Sequence, residues 1–228
     1  KSYLRNVLRA LRPQIELGTP IVVLEPSCAS VLRDELHNLF PDDRLANKLR
    51  EQTVLLSELL EKHGDDVELP SIKSHALVQG HCHHKSVLNY GAEQNVINKL
   101  GLDATFLNSG CCGMAGSFGF EQDKAAVSVA VGERVLLPEV RKASPSTLIV
   151  ADGFSCREQI AQETDRRALH LAEVIRLGLQ PANAAAPDPE TGLFRRRTRS
   201  RRMARLRAAA ALSLLAVGGI LLRKAIRH

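Results

Sequence analysis

Short apolar runs alternate with stretches of helical period along most of this chain. IVVLEPSC, HALVQGHC, ATFLNSGCC and TLIVADGFSC each carry an apolar or β-branched run, then a small or polar turn, then cysteine. The pattern predicts strands before Cys28, Cys82, Cys111 and Cys156, with helices after them. KSYLRNVLRALRPQIELG reads as an amphipathic helix, and ASVLRDELHNLF as the helix after Cys28. Pro41 opens a second helix through NKLREQTVLLSELLEKH to Gly64, and KSVLNYGAEQNVINKL runs to the terminating Gly101. EQDKAAVSVAVGERVLL is helical up to Pro138, and REQIAQETDR and ALHLAEVIRLGL are helical after Cys156. Strands alternating with helices predict an α/β body of mostly parallel sheets with helices on both faces.

In such a sheet the loops leaving the strands share one edge, where open α/β folds place their ligands. All five cysteines fall at the C-terminal ends of predicted strands, and a random scatter would put some inside helices or strands. The EPSC and GFSC junctions also resemble each other, a hint of a duplicated βα unit.

Composition and charge add a division of the chain. With 228 residues and 44% hydrophobic content it can bury a substantial core. The formal charge of +6 is uneven: residues 181–228 carry +9, which leaves the first 180 at −3. Residues 1–180 read as the cysteine-rich body, 181–194 as a Pro/Ala-rich linker, and 195–228 as an Arg-rich helical tail with the apolar run AAAALSLLAVGGILL. Fifteen helical residues span only about 22 Å, short of a hydrocarbon core of about 30 Å, so the tail suits the surface of an anionic membrane better than a crossing, with a disordered or partner-docking tail as the alternative. Its arginines lack interleaved aromatics and the body is acidic, which argues against nucleic acid. The opening at Lys1, inside a helical pattern, reads as the C-terminal piece of a longer polypeptide. An odd number of cysteines, two of them adjacent, indicates a reducing compartment, so the cytoplasm is expected, with the tail on the inner face of the cell membrane.

Thiolates on loops at helix N-termini are stabilised as anions, and metal ligation is the economical reading of Cys28, Cys82, Cys111, Cys112 and Cys156. Structural zinc uses C-x-x-C knuckles, which this chain lacks; an adjacent pair fits a multi-iron cluster better. Gly110, Gly113 and Gly116 would let backbone N–H groups approach sulfide. The bland alternative is a tight turn with two unreactive thiols. His81, His83 and His84 surround Cys82 and could tune or bind a cofactor, although each also reads as a solvated or supporting histidine. His170 reads as a satisfied histidine, and Glu25 and Asp152 as capping carboxylates. No Ser-His-Asp set and no nucleotide fingerprint is present. A zinc-stabilised docking module, or thiol–disulfide chemistry at the Cys111–Cys112 pair, remain alternatives to an electron-transfer cluster.

EPSCASVLRDE, GHCHHK, NSGCCGMAGSFGFE and DGFSCREQI together resemble the cysteine-rich CCG domain over residues 20–179. That domain occurs in heterodisulfide reductases and in the iron–sulfur subunits of glycolate oxidase and anaerobic glycerol-3-phosphate dehydrogenase. The likeness is greatest to the C-terminal part of fused FAD-binding and iron–sulfur oxidases of the D-lactate or D-2-hydroxyglutarate dehydrogenase type. The resemblance implies Cys82 as the first ligand, Cys111 and Cys112 as the pair and Cys156 as the last. Gly153 stands where the first cysteine of a C-x-x-C would be, so the implied cofactor is an ordinary 4Fe–4S cluster. Cys28 would be the final cysteine of an upstream unit. The resemblance further implies a flavin domain or subunit holding FAD outside this chain, a ferredoxin-type iron–sulfur domain as partner, and no substrate site here.

Overall fold

The computed structural model describes residues 1–64 and 66–180. Helix α1 (Ser2–Leu17) buries Leu8 and Ile15 and ends at Gly18, whose φ of 74° turns the chain out of the helix. Strand β1 (Ile21–Val23) leads into α2 (Pro26–Ser30), which continues through a π-helical turn (Val31–Glu35) into α3 (Leu36–Leu39). Helix α4 (Arg44–Gln52) is capped by Asp43, whose carboxylate accepts from the N–H groups of Leu45 and Ala46. Strand β2 (Thr53–Leu55) and α5 (Leu56–Lys62) complete this first part. The second part runs β3 (His75–Val78), α6 (Cys82–Ser86), α7 (Tyr90–Lys99) and β4 (Asp103–Phe106). A 3₁₀ turn (Phe118–Phe120), α8 (Ala125–Gly132), α9 (Leu136–Lys142), β5 (Leu148–Val150), α10 (Phe154–Glu163) and α11 (Leu171–Gly178) follow.

All strand pairs are parallel. β1 pairs with β2 in one sheet, and β3 lies between β4 and β5 in the other. Alternation along the larger sheet sends Ala76, Val78, Leu148 and Val150 to one face, against Val96 and Ile97 of α7 and Val174 and Leu177 of α11. Leu77 and Ile149 go to the other, against Leu136 and Val140 of α9 and Ile160 of α10. A third cluster joins α1, α3 and α4 through Ile15, Leu36 and Leu49. Each such side chain, fully buried, contributes about 1.5–3 kcal/mol. The architecture is the α/β arrangement the pattern predicts, with helices on both faces and cysteines beyond the C-terminal strand ends.

Four boundaries differ from expectation. The helix predicted to run from Pro41 to Gly64 is interrupted by β2. Thr53 and Val54 are β-branched, Thr53 pairs with Ile21, and Glu58 reaches back to the Leu55 N–H at 2.8 Å to start α5 afresh. The helix after Cys82 breaks between α6 and α7. Pro138 does not end a helix; it sits in the first turn of α9, where a missing N–H leaves no bond unmade. ALHLAEVIRLGL is helical only from Leu171, because Leu169 forms a parallel bridge with Val150 and His170 caps α11. The predicted linker 181–194 and basic tail 195–228 lie outside the described residues. Among the described residues no helix is long and apolar enough to cross a membrane.

Candidate metal centre

Three strand ends of the larger sheet deliver cysteines to one place. β3 ends at Val78, and a short turn later His81 caps α6, with Cys82 as its first residue. β4 ends at Phe106, and the following loop is held to β3 by Leu107 N–H on the Val78 carbonyl and by Ser109 Oγ on Gln79 Oε1. That anchorage fixes the path to Cys111 and Cys112. β5 leads to Gly153, which caps α10, and Cys156 is the third residue of that helix. Cys112 and Cys156 are buried, while Cys82 and Cys111 are partly exposed.

The four thiols form a chain of neighbours, each acting on the charge of the next. Cys111 Sγ accepts the Gly113 N–H at 3.3 Å, and the thiols of Cys112 and Cys82 lie beside it as potential donors. Cys112 in turn interacts with Cys156. These donors hold the Cys111 thiol far below the ordinary range, with the His81 ring adding to the effect. Cys82 is pushed up by its hydrogen bond to Cys111 and then by burial, and Cys112 by its bonds to Cys111 and Cys156 and then by burial. One negative charge is therefore stabilised, and each further thiolate is opposed by the first. Where these thiols stay protonated the opposition does not arise; a cation among the sulfurs would also remove it, and the four-sulfur donor set suits such a centre.

Cys28 stands outside this chain. It is exposed on α2, which packs on α6, and burial and then Glu25 raise its thiol above the ordinary value.

The three histidines occupy different environments. His81 is buried, and its Nδ1 accepts from the His83 N–H at 3.3 Å. Burial holds its pKa down, partly offset by Glu25 and Cys111. His83 is exposed, its ring 5.4 Å from that of His81. Ligand atoms of His81, Cys82 and His83 lie within 4.8 Å of one another. His84 is fully buried and turned to protein partners: Nε2 lies 3.2 Å from the Asn89 carbonyl, and the Tyr90 ring meets it edge-on. Its Nδ1 is 2.8 Å from Glu93 Oε2, though angled away from a hydrogen bond.

Of the glycines, Gly113 has φ 98°, and a Cβ there would lie 2.0 Å from the Ser128 carbonyl oxygen, so both conformation and space demand glycine. Gly110 and Gly116 also have positive φ but open space around them.

Both carboxylates at strand ends do cap helices, but not their own. Glu25 accepts from the Phe154 N–H of α10 at 2.6 Å, and Asp152 from the Leu171 N–H of α11 at 2.7 Å. His170 is satisfied, with Nδ1 on the Ala172 N–H and Nε2 on the Leu24 carbonyl. The sequence reading missed Glu93, although helical period marks it. It sits three and four residues before the buried Val96 and Ile97, on the apolar stripe of α7.

No family model and no solved structure matches the chain. Among curated proteins it is similar to D-2-hydroxyglutarate dehydrogenase of Pseudomonas putida, 27% identical over 177 residues, which are 77% of this chain and 17% of that protein. The D-2-hydroxyglutarate dehydrogenase of Pantoea ananatis is 29% identical over 148 residues, 64% of this chain and 14% of that protein. One subunit of the anaerobic glycerol-3-phosphate dehydrogenase of Escherichia coli K12 is 28% identical over 157 residues, 67% of this chain and 39% of that polypeptide. The chain thus spans well under half the length of each relative, and all three relatives are dehydrogenases or dehydrogenase subunits.

Proposed function

We propose that this chain is an electron-transfer part of a flavin-linked dehydrogenase acting on a 2-hydroxy acid, and that Cys82, Cys111, Cys112 and Cys156 hold an iron–sulfur cluster of the 4Fe–4S type. The observation that supports this reading is that three strand ends bring four thiols to one place, where they perturb one another's charge. A cluster bound there would accept and release single electrons. The Gly113 N–H donates to Cys111 sulfur and would remain aimed at the sulfur of a bound centre. Burial of Cys112 and Cys156 keeps water from two of the four donors. The CCG-type assignment belongs to the same proposal, as do residues 1–180 as the body and the flavin and ferredoxin-type domains, in the same polypeptide or in partner subunits, as neighbours in the relay. The named relatives support it, because both D-2-hydroxyglutarate and glycerol-3-phosphate dehydrogenases need an acceptor for the electrons that they withdraw.

Anaerobic purification tests the proposal. It predicts a brown protein with about four iron and four acid-labile sulfide per chain. Cys112→Ser or Cys156→Ser should remove most of the iron, while Cys28→Ser leaves it. Stoichiometric zinc without sulfide would replace this reading with a zinc-stabilised module, and a metal-free protein with labile thiols would point to thiol–disulfide chemistry.

A further inference from the structure

Gly153 is an unusual cap. Its φ of −66° and ψ of 128° suit any residue, so its backbone does not call for glycine. Space does. A Cβ at this position would lie 2.2 Å from Cδ2, 3.0 Å from Cγ and 3.2 Å from Nε2 of His81. The imidazole thus lies directly on the glycine and fills the room a side chain would take at position 153.

The same ring is tied on its other sides. Its Nδ1 accepts the His83 N–H, so the ring proton is carried at Nε2. A ring nitrogen is within 4.8 Å of Cys82 Sγ, and the ring interacts with the charge of Cys111. Glu25 attracts it from the first part of the chain, its own carboxylate fixed by Ser27 Oγ at 2.8 Å and by the Phe154 N–H. A buried imidazole oriented by a backbone bond and a nearby carboxylate is the arrangement that supports metal centres from just outside the ligand set.

We infer that His81, seated in the space left by Gly153, is the residue that completes the four-thiol site, as a neutral N–H donor to its sulfur and not as a fifth anionic ligand. This rests on the cluster reading above. It also separates the three histidines: His83 faces solvent, and His84 is turned to Asn89 and Glu93. A donor directed at cluster sulfur stabilises the more negative, reduced state, so its removal lowers the reduction potential without removing iron.

The test uses the full chain, loaded anaerobically and compared by iron and sulfide content, by the electron paramagnetic resonance spectrum of the reduced form, and by redox titration. His81→Ser keeps a side chain able to cap α6 but has no N–H donor; His81→Asn keeps both a cap and a donor. His81→Ser should hold iron and sulfide at the parent level, with a lower potential and an altered spectrum, and His81→Asn should recover part of the shift. Gly153→Ala, which leaves His81 in the sequence but takes its seat, should reproduce the shift; His81→Ser decides the matter if Gly153→Ala does not fold. Parent-like potentials and spectra in a loaded His81→Ser protein would overturn the inference while leaving the cluster intact. Loss of iron from His81→Ser would overturn it in favour of direct ligation. A parent chain that takes up no iron and sulfide would remove the cluster reading and this inference together.

Discussion

Glu93 is completely buried on α7, and neither of its carboxylate oxygens has a hydrogen-bond partner among the described residues. Burial alone raises its pKa to about 8. Asp152, also buried, is raised to about 7, first by burial and then by Glu93, against the pull of His170 and the Leu171 N–H. Both groups therefore keep protons in the folded protein that the unfolded chain releases at ordinary carboxylate pH. Between 4.5 and about 8 for Glu93, the folded state binds more protons than the unfolded one. Stability is thus fully present below that window and declines as pH rises through it. His84, held low mainly by burial, has the opposite sign and costs stability at the acid end. Glu93→Gln mimics the protonated form and should remove the alkaline loss. Its stability relative to the parent, followed by urea or thermal melts, should rise steadily from about pH 5 to about pH 8.5, reaching an advantage on the order of 4–5 kcal/mol. A difference between the two proteins that stays flat across this range would mean that Glu93 is ionised in the fold.

The loop after β4 makes a sharper demand than its glycine count suggests. Gly110 and Gly113 both have positive φ, but only Gly113 lies against backbone, at the Ser128 carbonyl of α8. Gly110→Ala should cost about 1 kcal/mol, the ordinary penalty of a left-handed residue. Gly113→Ala adds a clash with an atom that cannot rotate away, and should cost on the order of 3 kcal/mol or more, visible as a much lower urea midpoint. Equal midpoints for the two variants would show that α8 shifts freely. Such dependence on a neighbour also explains what the sequence revealed. The runs IVV, HALV, DATF and LIV were legible as strands because β-branched residues end at small-residue turns, and the shared edge for the cysteines followed from parallel topology. TVLL was not, since an apolar run reads equally as helix or strand, and β1 decides the matter for Thr53–Leu55. Leu169 is likewise pulled out of its helix by Val150. The meeting of Cys82, Cys111, Cys112 and Cys156 could be expected from their junctions. The fit of His81 onto Gly153 could not, because it depends on two loops far apart in sequence coming within contact distance.

The two parts of the body repeat one plan. β1 runs into the Cys28 helix and returns through β2 to α5, and β5 runs into the Cys156 helix and returns through the Leu169 bridge to α11. The likeness of EPSC and GFSC thus has a structural counterpart. In the second part β3 and β4 flank the plan and bring Cys82, Cys111 and Cys112, whereas β1 has β2 as its sole strand partner among the described residues. The cysteine-bearing body is mildly acidic, at −3, and the strongly basic segment, at +9, begins after residue 180. With the net positive charge confined to residues 181–228, the sequence predicts attraction of the Arg-rich run FRRRTRSRRMARLR to an anionic lipid surface, with the adjoining apolar run adding unscreened affinity. Each arginine near such a surface contributes about 1 kcal/mol, within about 10 Å at moderate salt. The full chain should therefore pellet strongly with vesicles containing phosphatidylserine and only weakly with purely zwitterionic ones. Raising the salt should release it only in part, because the apolar contribution is not screened. Replacing the eight arginines of that run with glutamine should abolish the difference between the two lipids. If the substituted and parent chains pellet equally on anionic vesicles, the arginines do not contribute to membrane binding.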